Sequence, residues 1–241
     1  MKVALQLYSI REKIRENFFD ALEQVKKAGY DGVEFAGYGD IPANEMKAKL
    51  DQLGLETAGS HVSYDRLKED LEGEVAYAKQ IGACSVVCPW DGGETKEEWI
   101  SFAKEMNAIG ERFRQEGILF GYHNHAQEFK KFDGQYIMDL LLEQCDPNYV
   151  TAEFDTHWVY KGGENVLEYI GQYKDRCVLL HAKEVAKDGE SDTEVGDGLI
   201  PFAKLTKTLT NLKWVIVEQE GFAIDPWESI AKSCKYLNSI L

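Results

Sequence analysis

The residues of this chain best equipped for chemistry are its histidines and the acids that recur beside them. The segment Gly121-Tyr-His-Asn-His-Ala-Gln-Glu128 follows an apolar run, Ile118 to Phe120, that reads as a buried strand. It carries two of the five histidines, His123 and His125, which share a face if the strand continues through them. Three later strand-like runs end in related side chains: Thr151 to Asp155, Val178 to His181, and Trp214 to Glu218. His123, Asp155, His181 and Glu218 at four strand ends make a mixed nitrogen and oxygen donor set for one divalent ion. With imidazole in the shell, Mn2+, Co2+ or Zn2+ is favoured over Mg2+. A lone histidine at a strand end is more often hydrogen-bonded within the fold, and the plain alternative for the set is a polar layer closing one end of the sheet. Four such ends in one chain argue for the metal.

Those ends must be brought together by the elements between them. Gly29, Gly54, Gly82 and Gly117 each follow an amphipathic helical stretch and precede an apolar run, the position glycine favours just past a helix. Asn17, Pro42, the Thr95/Glu98 pair, and Asp225 with Pro226 read as helix starts. A third helix is expected over roughly Arg66 to Ile81. The pattern counts eight strands alternating with eight helices, which predicts an α/β fold, a (β/α)8 TIM barrel formed by residues 1–241 as a single domain. The rival, an open doubly wound sheet, lacks a Gly-x-Gly-x-x-Gly turn after the first strand. In a barrel the C-terminal strand ends form the active face. Here they are Tyr8, Glu34, His61, Trp90, His123 with His125, Asp155 with His157, His181 with Lys183, and Glu218 with Glu220.

Composition narrows the partners. The 42 acidic against 27 basic side chains give a formal net charge of -15, a field that repels phosphate backbones, so nucleic acid is not an expected partner. The five cysteines are odd in number and lack the spacing of a disulfide scaffold or zinc site, which suits reduced thiols in the cytoplasm. The chain opens directly on a strand pattern at Lys2, with neither a signal peptide nor an apolar run long enough to span a bilayer. No membrane partner is expected.

In chain order, His123-Asn-His125, Phe154-Asp-Thr156, His181-Ala-Lys-Glu184, Val195-Gly-Asp-Gly198 and Val217-Glu-Gln-Glu220 resemble the xylose isomerase-like sugar phosphate isomerase/epimerase superfamily. That group includes ketose 3-epimerases, inosose dehydratase, dehydroshikimate dehydratase and endonuclease IV, and the resemblance covers essentially the whole chain. It implies one divalent metal at the ends of strands five to eight, held by Glu, Asp, His and Glu. Asp155, His181 and Glu218 match the last three. The first position is His123 here, a departure from the epimerase pattern, and Glu128 could stand in for it if its loop folds back.

The resemblance further implies a small-molecule carbohydrate substrate, a keto sugar or inositol derivative, and a reaction through an enediolate. Glu218 would be the base as well as a ligand, with His123 or Glu128 its partner on the opposite face. Epimerisation, isomerisation and dehydration all remain open. His125, Lys183, Glu34 and His61 would bind substrate hydroxyls, with Trp90, Trp158 and Phe222 as apolar walls. For Lys183 an ion pair with Glu184 or Glu153 is the competing expectation. No Arg/Lys cluster or Walker-type loop is present to hold a phosphate, so an unphosphorylated substrate is expected. The resemblance also makes a homo-oligomer an expectation. The competing functions are a non-catalytic sugar-binding barrel and an endonuclease IV-like repair enzyme, the latter at odds with the acidic charge.

Overall fold

Short runs buried on both faces are what a parallel sheet covered by helices demands, and the strands have that character. A computed structural model of the protein describes residues 1–90 and 92–241. The strands are β1 (Lys2–Gln6), β2 (Gly32–Phe35), β3 (Glu56–Ser60), β4 (Ser85–Cys88), β5 (Leu119–His123), β6 (Thr151–Asp155), β7 (Cys177–Ala182) and β8 (Trp214–Val217). They hydrogen-bond in the order β3-β2-β1-β8-β7-β6-β5-β4, every pairing parallel. Between β3 and β4 the seam is drawn together by Cys84 N–H donating to Thr57 O (3.0 Å), Val62 N–H donating to Val87 O (2.9 Å), and Ser85 Oγ donating to Ala58 O (2.8 Å). The result is a nearly closed (β/α)8 barrel, as the alternation predicts.

The principal helices are α1 (Phe18–Lys27), α2 (Ala43–Leu53), α3 (Leu71–Ile81), α4 (Lys96–Gln115), α5 (Ile137–Gln144), α6 (Val166–Gln172), α7 (Phe202–Thr208) and α8 (Pro226–Ile240). Their starts follow local chemistry. Asn17 accepts from Asp20 N, Thr95 and Glu98 close a capping box, and Asp225 accepts from Trp227 N and Glu228 N. α4 buries Trp99, Phe102, Ala103, Met106, Ile109 and Phe113 on one stripe. Each large side chain fully buried there contributes about 1.5–3 kcal/mol.

Three features depart from the sequence reading. The helix expected over Arg66 to Ile81 is two helices, Tyr64–Glu69 and α3, because Asp70 leaves the helical region (φ -147, ψ 60) and caps α3 through Gly73 N. Leu7–Ile10 and Arg11–Glu16 form short helical turns before α1, and Thr156–Lys161 forms another after β6. Lys131–Phe132 and Gln135–Tyr136 pair as a small antiparallel hairpin.

Strand pairing fixes what faces the barrel interior. Ala4 pairs with Ile216, Ile216 with His181, and His181 with Asp155, so all four point the same way. By the same register Gln6, Glu34, His123 and Glu153 point inward at the C-terminal ends. Ala4, Ala58, Val87, Leu179, Trp214 and Ile216 fill the interior as a separate apolar cluster, and the polar group stands above it. Among the described residues no helix is long and apolar enough to cross a membrane.

Candidate metal centre and active site

The inward ends of β5, β6, β7 and β8 bring His123, Asp155, His181 and Glu218 together. Each offers one ligand atom, and these atoms lie within 4.8 Å of one another. An overlapping group, His61, His123, Glu153 and His181, meets the same test. His181 is the hinge between the two. Its Nδ1 lies 2.8 Å from Glu218 Oε2, and its Nε2 lies 2.6 Å from Glu34 Oε2. Glu34 is held in turn by Gln6 Nε2, which donates to it at 2.9 Å. Glu153 Oε2 is shared by His61 Nε2 (2.7 Å), His123 Nδ1 (3.2 Å) and His181 Nε2 (3.2 Å).

Glycine at position 59 makes room for this layer. A Cβ there would stand 2.4 Å from Glu34 Oε1 and 2.7 Å from Ser85 Oγ. Asn124, between the two histidines of its motif, accepts from Asp155 N at 3.0 Å. Asp155 Oδ1 caps the short Thr156–Lys161 helix by accepting from Trp158 N at 2.9 Å.

Four carboxylates, Glu34, Glu153, Asp155 and Glu218, are buried in this chamber. Burying that much negative charge is costly unless cations compensate it. Lys183 supplies one. Burial disfavours its charge, but Glu218, Asp155 and Glu220 outweigh that and hold it protonated. Burial likewise opposes charge on His181, but Glu153 and Glu34 overcome it and raise its pKa. Burial pushes Asp155 up to about 7, and burial with the Glu34 charge does the same for Glu153. Glu218 stays ionised against burial because Lys183 and His181 lower its pKa.

Asp155 Oδ2 is buried and makes no hydrogen bond. An orphaned carboxylate oxygen, four buried carboxylates and a two-nitrogen, two-oxygen donor set together fit a divalent ion held by His123, Asp155, His181 and Glu218.

The remaining predicted residues divide. His125 lies beside the cluster, its ring 5.0 Å from that of His123 although β5 ends at His123. Its Nδ1 is buried without a partner, and burial lowers its pKa to about 4. Trp90, largely exposed, and Trp158 flank His125 at 5.1 and 5.5 Å. Lys183 pairs with Glu220, not with Glu184 or Glu153, and lies 4.9 Å from the Trp158 ring. Glu34 lies fully buried under His181, in a supporting position. His61 stands at the edge, bridging Glu34 and Glu153. Phe222 is half-buried and packs on the main core.

Glu128 is not brought into the cluster. It is buried outside the cluster, where its oxygens accept from Tyr122 Oη (2.7 Å) and His125 N (2.8 Å). Tyr122 neighbours His123 on β5 and so faces the opposite side. Glu184 is structural, accepting from Val185 N, Gly196 N and Ile200 N to tie down the loop after β7. Sequence reasoning missed Gln6 and Glu153 as site residues. Both were readable from strand parity, because Glu153 stands two before Asp155 and Gln6 two after the inward Ala4.

Comparison with known proteins gives this site its family. Residues 22–240 match the model of the xylose isomerase-like TIM barrel. The inosose dehydratase of Lacticaseibacillus casei is 25% identical over 269 residues, covering 93% of this chain and 90% of that protein. A crystal structure of a sugar phosphate isomerase/epimerase from Parabacteroides distasonis superposes with a TM-score of 0.84 at 27% identity, covering 99% of this chain and 94% of that one. A probable 3-DHS dehydratase from Bacillus anthracis shares the fold, with a TM-score of 0.76 at 14% identity over 99% of each chain. The chain belongs to the xylose isomerase-like TIM barrel family and is an enzyme of its isomerase, epimerase and dehydratase kind.

Proposed function

We propose that this enzyme removes the proton α to the carbonyl of an unphosphorylated keto sugar or inositol-derived ketone, at a site where His123, Asp155, His181 and Glu218 hold one divalent ion. The observation that carries the reading is Glu218. It is buried at the end of β8, kept ionised by Lys183 and His181, and set beside the donor cluster. A base has to be ionised and within reach of the reacting carbon, and Glu218 meets the first requirement where most of its neighbours are pushed towards neutrality. The ion, when bound, would supply a Lewis acid that polarises the substrate carbonyl and lowers the cost of enolising it.

The chain's own groups then set the outcome. Glu218 takes the α-proton and leaves an enediolate. Lys183 carries a fixed positive charge into the same chamber, and His125 offers a neutral imidazole with a free nitrogen. Epimerisation needs a second base across the substrate, and His123, the position expected to supply it, is taken up as a ligand in this reading, its pKa depressed by burial and the neighbouring histidines. Glu128 faces Tyr122 instead. Loss of a β-hydroxyl needs no second base: Glu218 takes the α-proton and Lys183 can protonate the hydroxyl so that it leaves as water, and the 25% identity to an inosose dehydratase supports that outcome over epimerisation.

The test is a panel of hexuloses and inososes in D2O, with Mn2+ and with chelator. Deuterium uptake at the α-carbon, or appearance of an enone absorbance, is expected only with metal, and Glu218→Gln should abolish it while circular dichroism stays native. Turnover at the wild-type rate in Glu218→Gln would remove the base from this assignment.

A further inference from the structure

A cleft of about 740 Å3 opens from the edge of the cluster, between the loop after β2 and the segment that starts at Ser63 and runs into α3. Its inner end is His61, which hydrogen-bonds Glu153, so cleft and cluster are continuous at that side chain. The volume lies within the range of about 300–1,000 Å3 typical of clefts that enclose a whole ligand. It leaves room for a ring beyond the one that reacts.

The walls specify that ring's chemistry. Tyr38 and Tyr77 stack at 3.8 Å and give the cleft an aromatic wall. Glu74 Oε2 is buried and unpartnered; Tyr38 Oη and Ser60 Oγ, the latter behind the cleft wall next to His61, are buried and lie beside one another. Seven such atoms occur among the described residues, and the other four belong to Glu34, His125, Glu153 and Asp155 of the cluster or its rim. Among the described residues, then, such atoms gather at the reaction site and along this side of it. Buried polar groups carry a cost that a matching partner removes. A carboxylate oxygen needs a donor, and a hydroxyl serves as donor or acceptor, so sugar hydroxyls can answer the Glu74 carboxylate and the Tyr38 hydroxyl on the cleft wall.

An anionic ligand does not fit. The one arginine, Arg66, is spent on Glu74 (2.8 Å) and Asp70 (3.1 Å), and Asp40 adds a further negative charge.

We infer that the cleft is a second sugar subsite, so that the substrate is a keto sugar carrying an uncharged glycosyl unit rather than a free monosaccharide. The inference rests on the cluster being the site of reaction. Calorimetric titration of the full-length, Mn2+-loaded protein with fructose, turanose, lactulose and isomaltulose tests it. At least one glycosylated ketose is expected to bind about tenfold or more tightly than fructose. Tyr38→Phe and Glu74→Gln, milder than truncations and each checked for native fold, should shrink that advantage to about threefold or less. Near-equal affinity of every glycosylated ketose and fructose, or an advantage that survives both substitutions, overturns it. Deuterium uptake measured in parallel separates the two readings. Exchange on fructose without any affinity advantage sinks the subsite alone, and a Tyr38-dependent advantage without exchange supports the subsite and sinks the reaction.

Discussion

His181 is gripped from both ring nitrogens, by Glu218 at Nδ1 and by Glu34 at Nε2. A ring that presents Nδ1 to an ion donates Nε2–H to Glu34, the arrangement that fixes a ligand's tautomer and raises its basicity. Glu34→Gln should therefore weaken Mn2+ binding by about 10–100-fold without touching the ion directly. Unchanged Mn2+ affinity in that variant would reduce Glu34 to a packing residue. That His123, Asp155, His181 and Glu218 gather in one cluster was legible because each member ends a strand-like run. Glu34's supporting role was not, because its partner lies 147 residues away and only the closed barrel brings them together. Nor could the sequence choose among the partners of Lys183. It weighed near or same-face acids, while the fold delivers Glu220 from the end of β8.

At the scale of elements, the site depends on close approach between strands. Gly59 on β3 leaves the space that the Glu34 carboxylate fills. Gly59→Ala should cost about 1–3 kcal/mol through overpacking, read by chemical denaturation, and should also weaken Mn2+ binding by displacing Glu34. Native stability in that variant would show that Glu34 can move freely. Most elements followed from local signals, since Asn17, Thr95 with Glu98, and Asp225 all cap the helices they announce. The failures were equally local. Asp70 reads as a polar helix residue until its side chain takes Gly73 N–H and starts a new helix. Counting by twos along β1 and β6, rather than reading only strand ends, would have added Gln6 and Glu153 to the site.

For the molecule as a whole, ion binding and stability should be linked, because the unfolded chain does not bring these ligands together. Adding Mn2+ at about a hundred times its dissociation constant stabilises the fold by about 2.7 kcal/mol. For a domain of this size that raises Tm by about 5–10 °C, and chelator should reverse it. A Tm indifferent to both would mean that Lys183 and a protonated His181 already settle the chamber's charge.

The most direct test of the account is a titration of the chelator-treated protein with Mn2+, in the wild type and in Asp155→Asn, Asp155→Ala and His181→Ala. Asparagine still caps the Thr156–Lys161 helix but gives up the carboxylate, which separates loss of the ion from loss of the cap, itself about 1 kcal/mol. One site per chain in the wild type, lost or greatly weakened in all three variants, is the predicted result. Wild-type stoichiometry and affinity in the variants, or no binding to the wild type, would contradict it.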